Sequence, residues 1–135
     1  MSRVNALLSG ETQIRVRYAE TDRMGLLHHA NYLVYFEQTR TDLLRQIGTT
    51  YRDMEDQGFF LVVVKMEVKY RKPVHYDDVV TIRSTVTRTT PVRLEHAYVV
   101  LGPDGGVCCE ASSTLACVDT EGKIQAMPEW LSGSK

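Results

Sequence analysis

Fifteen residues, from Tyr18 to Tyr32, hold most of the side chains in this chain that are suited to chemistry. They include a carboxylate at Asp22, a glycine, two adjacent histidines and an asparagine. A strand-like alternation enters the stretch and a helical pattern leaves it, which indicates a strand-to-helix loop. The first N–H groups of a helix lack intrahelical partners and lie at the positive end of its dipole. Such donors beside a carboxylate could polarise a carbonyl group and stabilise an oxyanion.

Asp22 is the leading candidate for a catalytic group, and the two adjacent histidines are the second signal. An ionised carboxylate can attack a carbonyl carbon or activate a water molecule, although a loop aspartate more often caps a turn or a helix start. His28 and His29 are weak evidence for a metal, because no further ligand stands at a suitable spacing. One ring could instead be exposed while the other is hydrogen-bonded in the loop. We favour a third interpretation, in which His29 polarises a carbonyl through its N–H or its ring, because Asp22 shares the loop.

Other polar residues have simpler interpretations. Glu37 lies inside the predicted helix, where it could face a pocket or pair with Arg40 three residues later or with a neighbouring chain. His75 and His96 are expected to be structural histidines with satisfied hydrogen bonds. A basic outer face on the strands is usually a solvated surface, but it could also hold the phosphates of a nucleotide-bearing ligand. This face comprises Lys65, Lys69, Arg71, Lys72, Arg83, Arg88 and Arg93.

The elements that position these residues follow from hydrophobic periodicity. The loop is preceded by a strand over Thr12–Tyr18, whose inner face carries Ile14, Val16 and Tyr18, and is followed by a helix over 31–47 that ends at Gly48. The helix buries Tyr32, Phe36, Leu43 and Ile47, with Leu33 and Leu44 widening the stripe. Further strands are predicted over 59–74, 80–86, 94–100 and 107–119. Val62, Val64, Met66, Val68 and Tyr70 share one face of the first of these.

The connections suggest how these elements assemble. Residues 102–106 are a strong hairpin signal and Glu121-Gly122 forms a turn, whereas Thr49–Gly58 could be a short helix or a loop. Residues 1–10 and 128–135 are expected to be loosely held ends. Short turns favour antiparallel pairing. An α+β fold results, in which a sheet with one apolar face curls around the single long helix.

Bulk properties limit the classes of protein that this chain can belong to. A chain of 135 residues is about one domain, and its 43% hydrophobic and 24% charged residues are ordinary for a soluble protein. The net charge of −1 argues against non-specific nucleic-acid binding. The longest apolar run, 59–64, is too short to span a membrane. Cys108, Cys109 and Cys117 are expected to be buried thiols in a reducing compartment, which favours the cytoplasm.

The residues in and after the loop resemble a known family. Tyr18, Thr21, Asp22, Gly25, His29, Asn31 and Tyr32, followed by Phe36-Glu37 and Arg40, are spaced as in hotdog-fold acyl-CoA thioesterases of the 4-hydroxybenzoyl-CoA thioesterase type. The nearest subgroup is the bacterial short-chain or aromatic acyl-CoA thioesterases. Lys72-Pro73-Val74 and Asp77-Asp78-Val79 fit as well, so the similarity covers about residues 12–125 of a single domain spanning 1–135.

The resemblance implies a five-stranded antiparallel sheet wrapped around one long helix, and hydrolysis of an acyl-CoA thioester. It implies that Asp22 is the nucleophile or general base and that His29 polarises the thioester carbonyl. It also implies a homodimer or homotetramer with the site at the subunit interface, an acyl-carrier protein as a further candidate partner, and no metal or other cofactor. The residues we assign to substrate or CoA binding are Tyr18, Gly25, His28, Asn31, Tyr32, Glu37, Arg71, Lys72 and Arg88.

Two positions depart from the family pattern, and two rival functions stay open. Glu20 stands where an aspartate is frequent, and His28 stands where many members carry an aromatic or aliphatic residue. The second departure bears on substrate preference and on the pH dependence of turnover. The rivals are a hotdog hydratase or dehydratase, which moves protons on an enoyl thioester, and a non-catalytic module that binds acyl-CoA or acyl-carrier protein.

Overall fold

The computed structural model describes residues 8–132. Within that range the strands are β1 (Ser9–Arg15), β2 (Phe60–Tyr70), β3 (Val79–Thr89), β4 (Arg93–Leu101) and β5 (Val107–Val118). The helices are α1 (Asn31–Gln46), α2 (Tyr51–Asp56) and the four-residue α3 (Glu129–Ser132). A single 3-10 turn, Tyr18–Glu20, lies between β1 and α1. No helix in this part of the chain is long and apolar enough to cross a membrane.

The five strands form one antiparallel sheet in the order β1-β3-β4-β5-β2. Alternate residues of β3 and β4 are buried, because one face of the sheet packs on α1 and the other faces solvent. Val80, Ile82, Leu94 and Val100 are essentially inaccessible on that inner face. The α+β class and the hotdog arrangement of one sheet around one long helix are therefore confirmed.

Helix α1 matches its predicted range, but its buried stripe is rotated. Tyr35, Thr39 and Arg40 are buried, whereas Leu33, which we expected to widen the stripe, is 45% exposed. The helix ends at Gln46, and Gly48 terminates it two residues later with a φ of 85°, which is readily adopted only by glycine. The segment after it forms α2, which begins where the side chain of Thr50 accepts a hydrogen bond from the Asp53 amide.

The apolar interior has two clusters, one towards each end of α1. The first contains Tyr32 and Phe36 from the helix, and it borders the loop that precedes α1. The second contains Leu43, Leu44 and the α2 residue Met54. The loop is thus supported by its own part of the core.

Two strand predictions were wrong in detail. The first strand lies earlier than predicted, so that Tyr18 falls in the 3-10 turn and is 78% exposed. In β2 a bulge between Val63 and Lys65 interrupts the alternation, and β2 is also an edge strand. Val62 and Val64 are 41% and 50% exposed, although the pattern placed them on the apolar face of the strand with Met66 and Val68, which pack against the core.

The ends of the domain are more ordered than expected over the described residues. Ser9 and Gly10 belong to β1, whereas residues 1–7 of the predicted tail lie outside the described range. Leu131 of α3 is 1% exposed and packs in the second cluster, which corrects the expected loose end; residues 133–135 again lie outside the described range. The three cysteines are buried free thiols.

Candidate active site

The loop between β1 and α1 is attached along the segment that follows β2. Its backbone amides and carbonyls pair with this segment at three places: Leu27 N–H donates to the Val74 carbonyl at 2.7 Å, Tyr76 N–H to the Gly25 carbonyl at 2.9 Å, and Val16 N–H to the Asp78 carbonyl at 2.9 Å. These bonds fix the loop on one end of the sheet and next to the first cluster.

Asp22 sits in a tight turn within this loop. Its Oδ1 accepts the Met24 N–H at 2.8 Å and the Leu26 N–H at 3.2 Å, and Gly25 completes the turn with a φ of 77°. The turn-capping role that we considered for Asp22 is therefore present, and the amides it accepts belong to the turn and not to α1. The residue is exposed, and Oδ2 accepts no hydrogen bond from the described residues. One carboxylate oxygen is fixed while the other stays accessible.

Glu20, two residues earlier, is a buried carboxylate that anchors the loop. It accepts hydrogen bonds from the Arg17 N–H at 2.9 Å and the Tyr35 hydroxyl at 2.7 Å, and it pairs with the Arg17 guanidinium at 3.1 Å. Burial alone would raise the pKa of Glu20, but these bonds outweigh it and lower that pKa below its ordinary value. The sequence offered little signal for this role, because the residue three positions earlier is Arg17 and not the serine or threonine of a capping box.

The carbonyl of Glu20 connects the turn to the beginning of α1. It accepts the His28 N–H at 2.9 Å and the Asn31 side-chain amide at 2.8 Å. Asn31 therefore braces the loop. The Nδ1 of His28 accepts the Ala30 N–H at 3.1 Å, so the imidazole satisfies one of the helix-start donors. Its ring stacks on His29 with the centroids 4.2 Å apart.

His29, two residues before α1 begins at Asn31, supplies an unpaired donor. Its backbone N–H donates to no acceptor among the described residues, whereas its carbonyl accepts the Tyr70 hydroxyl at 3.0 Å. Tyr70 in turn meets Tyr32 edge-on, with the ring centroids 5.0 Å apart. Tyr32 is 4% exposed, so it braces the helix start from within the core. The role of Tyr70 was missed, because the pattern marked it only as the last apolar residue of a strand.

The predicted binding residues divide into those near the loop and those far from it. Tyr18 is exposed beside Tyr76, and their rings meet edge-on at 5.6 Å. Lys72 follows Tyr70 by two residues and so lies at the same end of the sheet. Arg88 lies at the other end, because β3 starts at Val79 beside the loop and the nine residues from there to Arg88 extend roughly 30 Å along the strand. Within one chain, Arg88 is not brought to the loop.

The basic outer face is partly neutralised by acidic neighbours. Arg71 pairs with Glu110, and Arg88 lies 3.8 Å from Glu95. Lys72 forms no ion pair within 4.0 Å in the described part of the chain, so its charge is the more available for a phosphate.

Glu37 and Arg40 line a cavity of about 600 Å³ between α1, α2, β2 and β5. The Arg40 guanidinium lies within 4.0 Å of no carboxylate oxygen in residues 8–132, so the considered pair between Arg40 and Glu37 does not form within the chain. Glu37 is exposed in the cavity, while Arg40 is buried.

The two isolated histidines differ from one another. The His75 ring lies 3.8 Å from the Asp78 carboxylate at the surface. His96 is buried on the inner face of the sheet, where burial and the nearby Arg40 charge lower its pKa to about 3. Its Nδ1 has no partner among the described residues, so the prediction of a fully satisfied histidine was wrong. No group of three or more metal-ligating side chains is present in residues 8–132.

Comparisons with known proteins bear on the family and the fold of the chain. Residues 16–133 match the thioesterase-like superfamily. The putative acyl-CoA thioesterase YneP of Bacillus subtilis is 38% identical over 123 residues, which cover 87% of this chain and 89% of that protein. The acyl-CoA thioester hydrolase YbgC of Escherichia coli O6:H1 is 29% identical over 117 residues, or 86% and 87% of the two chains. The structure of a DHNA-CoA thioesterase from Staphylococcus aureus superposes with a TM-score of 0.85 at 32% identity, covering 87% of this chain and 80% of that one.

Proposed function

This chain belongs to the thioesterase-like superfamily, and we propose that it hydrolyses an acyl-CoA thioester to free CoA and a carboxylic acid with Asp22 as the group that attacks or activates water. The observation that carries the proposal is the pairing, in one loop, of a carboxylate with one oxygen fixed and an unpaired helix-start N–H. Asp22 Oδ1 is held by two amides, and the His29 N–H has no partner in the described chain. The first group supplies the base or nucleophile, and the second supplies an oxyanion donor.

The roles of the neighbouring residues follow from their contacts. The Glu20 carbonyl and the Tyr70 hydroxyl fix the backbone on both sides of His29, so that its N–H points in one direction without reorganising during the reaction. Lys72, at the same end of the sheet, binds a phosphate of CoA. Tyr18 and the His28 ring are exposed beside the turn and contact the substrate.

A second copy of the chain completes the site. Val62, Val63 and Val64 are each between 41% and 51% exposed on β2, which is an edge strand. Exposed apolar edge strands are usually covered, and closed symmetric pairs are the commonest assemblies. We expect sedimentation at micromolar concentration to give a dimer or tetramer. A stable monomer that retains full activity would contradict the interface site.

Thiol release from short-chain, long-chain and aromatic acyl-CoAs tests the function. We expect turnover on at least one class, and a loss of about a hundredfold or more in kcat for Asp22→Asn, comparable to the removal of an oxyanion donor. The side-chain amide oxygen that this substitution introduces can still accept both turn N–H groups, so the fold should be unaffected. Asp119→Asn is the matched control, because Asp119 caps an equivalent turn elsewhere.

Three outcomes separate this proposal from its rivals. A tenfold loss or less in folded Asp22→Asn would contradict the role of Asp22. Loss of the enoyl absorbance of crotonyl-CoA without thiol release would favour a hydratase. Binding of CoA with no product after overnight incubation would favour a non-catalytic module.

A further inference from the structure

Arg40 is a buried cation for which the chain provides no counter-charge in its described part. It is 7% exposed, and its Nη1 donates to the Tyr98 hydroxyl at 3.0 Å while the Tyr51 hydroxyl supplies a second contact. The Nε has no partner, and no carboxylate oxygen in residues 8–132 lies within 4.0 Å of the guanidinium. A buried cation is costly when its hydrogen bonds are accepted only by neutral hydroxyls, because hydroxyls do not replace the water or the anion that would balance its charge.

The two hydroxyls that Arg40 contacts are themselves fixed. Tyr98 is 1% exposed, and its hydroxyl lies 2.6 Å from Ser113 Oγ. Because the Tyr98 hydroxyl oxygen accepts a hydrogen bond from Arg40, the Tyr98 hydroxyl proton can be donated to Ser113 Oγ. The Tyr98 ring also stacks on Phe36 with the centroids 4.6 Å apart. The guanidinium is therefore held in one orientation, and such pre-organisation favours binding of a further acceptor.

Arg40 lines the cavity of about 600 Å³ described above, a volume typical of ligand sites. Leu61 and Leu115 form an apolar part of its wall, and Tyr51 lies beside them. Two acidic and two basic side chains, all exposed, line much of the rest: Glu37, Glu55, Arg45 and Arg52. Because these exposed charges balance one another, the cavity combines an apolar surface suited to methylene groups with one buried cation that has no counter-charge in the described part of the chain. That combination fits an apolar chain that ends in an anionic oxygen.

The cavity lies along the same helix as the candidate active site. From Asn31 at the start of α1 to Arg40 is nine residues, which is roughly 13 Å at about 1.5 Å per residue. We propose that this cavity holds the far end of the acyl group and that Arg40 binds a carboxylate there, so that the preferred substrate is the CoA thioester of a dicarboxylic acid. The planar guanidinium binds a carboxylate more strongly than it binds a neutral oxygen. The inference rests on the thioesterase function proposed above.

Two substrates that differ only at the far end test the inference. We expect wild type to have a higher kcat/KM for dodecanedioyl-CoA than for dodecanoyl-CoA, and Arg40→Met to lower this ratio about ten- to a hundredfold, the usual effect of one charged hydrogen bond. Arg83→Met is the matched control, since Arg83 is an exposed arginine of β3 paired with Glu11. It should leave the ratio unchanged.

A role for Arg40 in CoA binding or in bracing the fold predicts a different result. Arg40→Met would then reduce kcat/KM for both substrates by the same factor, and this outcome would overturn the inference. If Arg40→Met does not fold, the wild-type ratio decides, because a preference for dodecanoyl-CoA is incompatible with a carboxylate site.

Failure of the thioesterase proposal can be told apart from failure of this one. If no acyl-CoA releases thiol, the proposed function is wrong. The melting temperature of wild type with free dodecanedioate or dodecanoate then tests the cavity without turnover. A larger rise with dodecanedioate supports the carboxylate site, and an equal or smaller rise overturns it.

Discussion

The chain builds the same turn twice, once in the candidate active site and once away from it. Asp22 accepts the amides two and four residues later at 2.8 and 3.2 Å, and Asp119 accepts the corresponding amides of Glu121 and Lys123 at 2.8 and 3.0 Å. Each turn contains a glycine three residues after the aspartate, with φ values of 77° and 83°. Local geometry alone therefore does not make an aspartate catalytic.

The two turns differ in what surrounds them. The Asp22 turn is bonded to the segment after β2, and the chain then passes through two histidines into the sixteen-residue helix α1. The Asp119 turn leads to a segment that docks its Gln125 side-chain amide on the Gly58 carbonyl at 2.7 Å, and no long helix follows within the described residues. Among residues 8–132, only the first of these two turns is followed closely by an unpaired N–H at the beginning of a long helix. We infer that the function of Asp22 comes from this neighbour.

The largest expected difference between the turns is catalytic. Asp22→Asn and Asp119→Asn should change the melting temperature by the same small amount, because an amide oxygen can replace Oδ1 as the acceptor in each turn. Only Asp22→Asn should lower kcat about a hundredfold or more. Calorimetry beside the thiol-release assay checks this, and equal losses of activity in the two variants would show that the turns act only through stability.

The next largest expected effect comes from substituting Glu20. Its buried carboxylate and its backbone carbonyl both anchor the Asp22 loop, and among the described residues no carboxylate anchors the Asp119 turn in this way. We expect Glu20→Gln to lower the free energy of unfolding by about 1–3 kcal/mol at neutral pH, because a buried network loses a charged acceptor. The pKa of Glu20 is lowered in the folded protein. Its contribution to stability is therefore present above its ordinary value of 4.5 and is lost as the pH falls through the lower, folded pKa.

Denaturant unfolding of wild type and Glu20→Gln over a range of pH measures this contribution. The difference between them should be constant from neutral pH down to about the ordinary carboxyl value and should shrink below it. If the difference in the free energy of unfolding grew on acidification, the ionised form of Glu20 would destabilise the fold, contrary to this prediction. Reduced kcat with an unchanged KM would further indicate that Glu20 acts through the position of the His29 amide.

The fold was largely predictable from the sequence, because its elements are long and strongly periodic. The helix over 31–46 and the hairpin over 102–106 follow from spacing and turn chemistry alone. The exposed valines of β2 do not, because a bulge shifts the alternation and its position depends on pairing with β5. The rotation of the α1 stripe away from Leu33 likewise reflects how the helix packs on the sheet.

The site was predictable only in part. Asp22 and His29 were identified because several reactive residue types share one loop, and their roles stay predictions. Glu20 and Tyr70 were not assigned their bracing roles, because each acts through a backbone group that is distant in sequence. Arg40 was marked as a partner for Glu37 and as part of the family pattern, with no role in a site. That it is buried without an anion depends on the contacts between α1, α2 and the sheet.

The smallest expected effect concerns the two turn glycines, Gly25 and Gly122. A Cβ at either position would meet no atom within 4 Å, so the cost of Gly25→Ala or Gly122→Ala comes only from the positive φ. We expect each change to lower the free energy of unfolding by about 1–2 kcal/mol. Only Gly25→Ala should also reduce kcat, because the Gly25 carbonyl accepts the Tyr76 N–H and any shift there moves Asp22 relative to His29. Equal stability losses with unequal activities, measured on the same samples, would show that the surroundings of the turn determine its function.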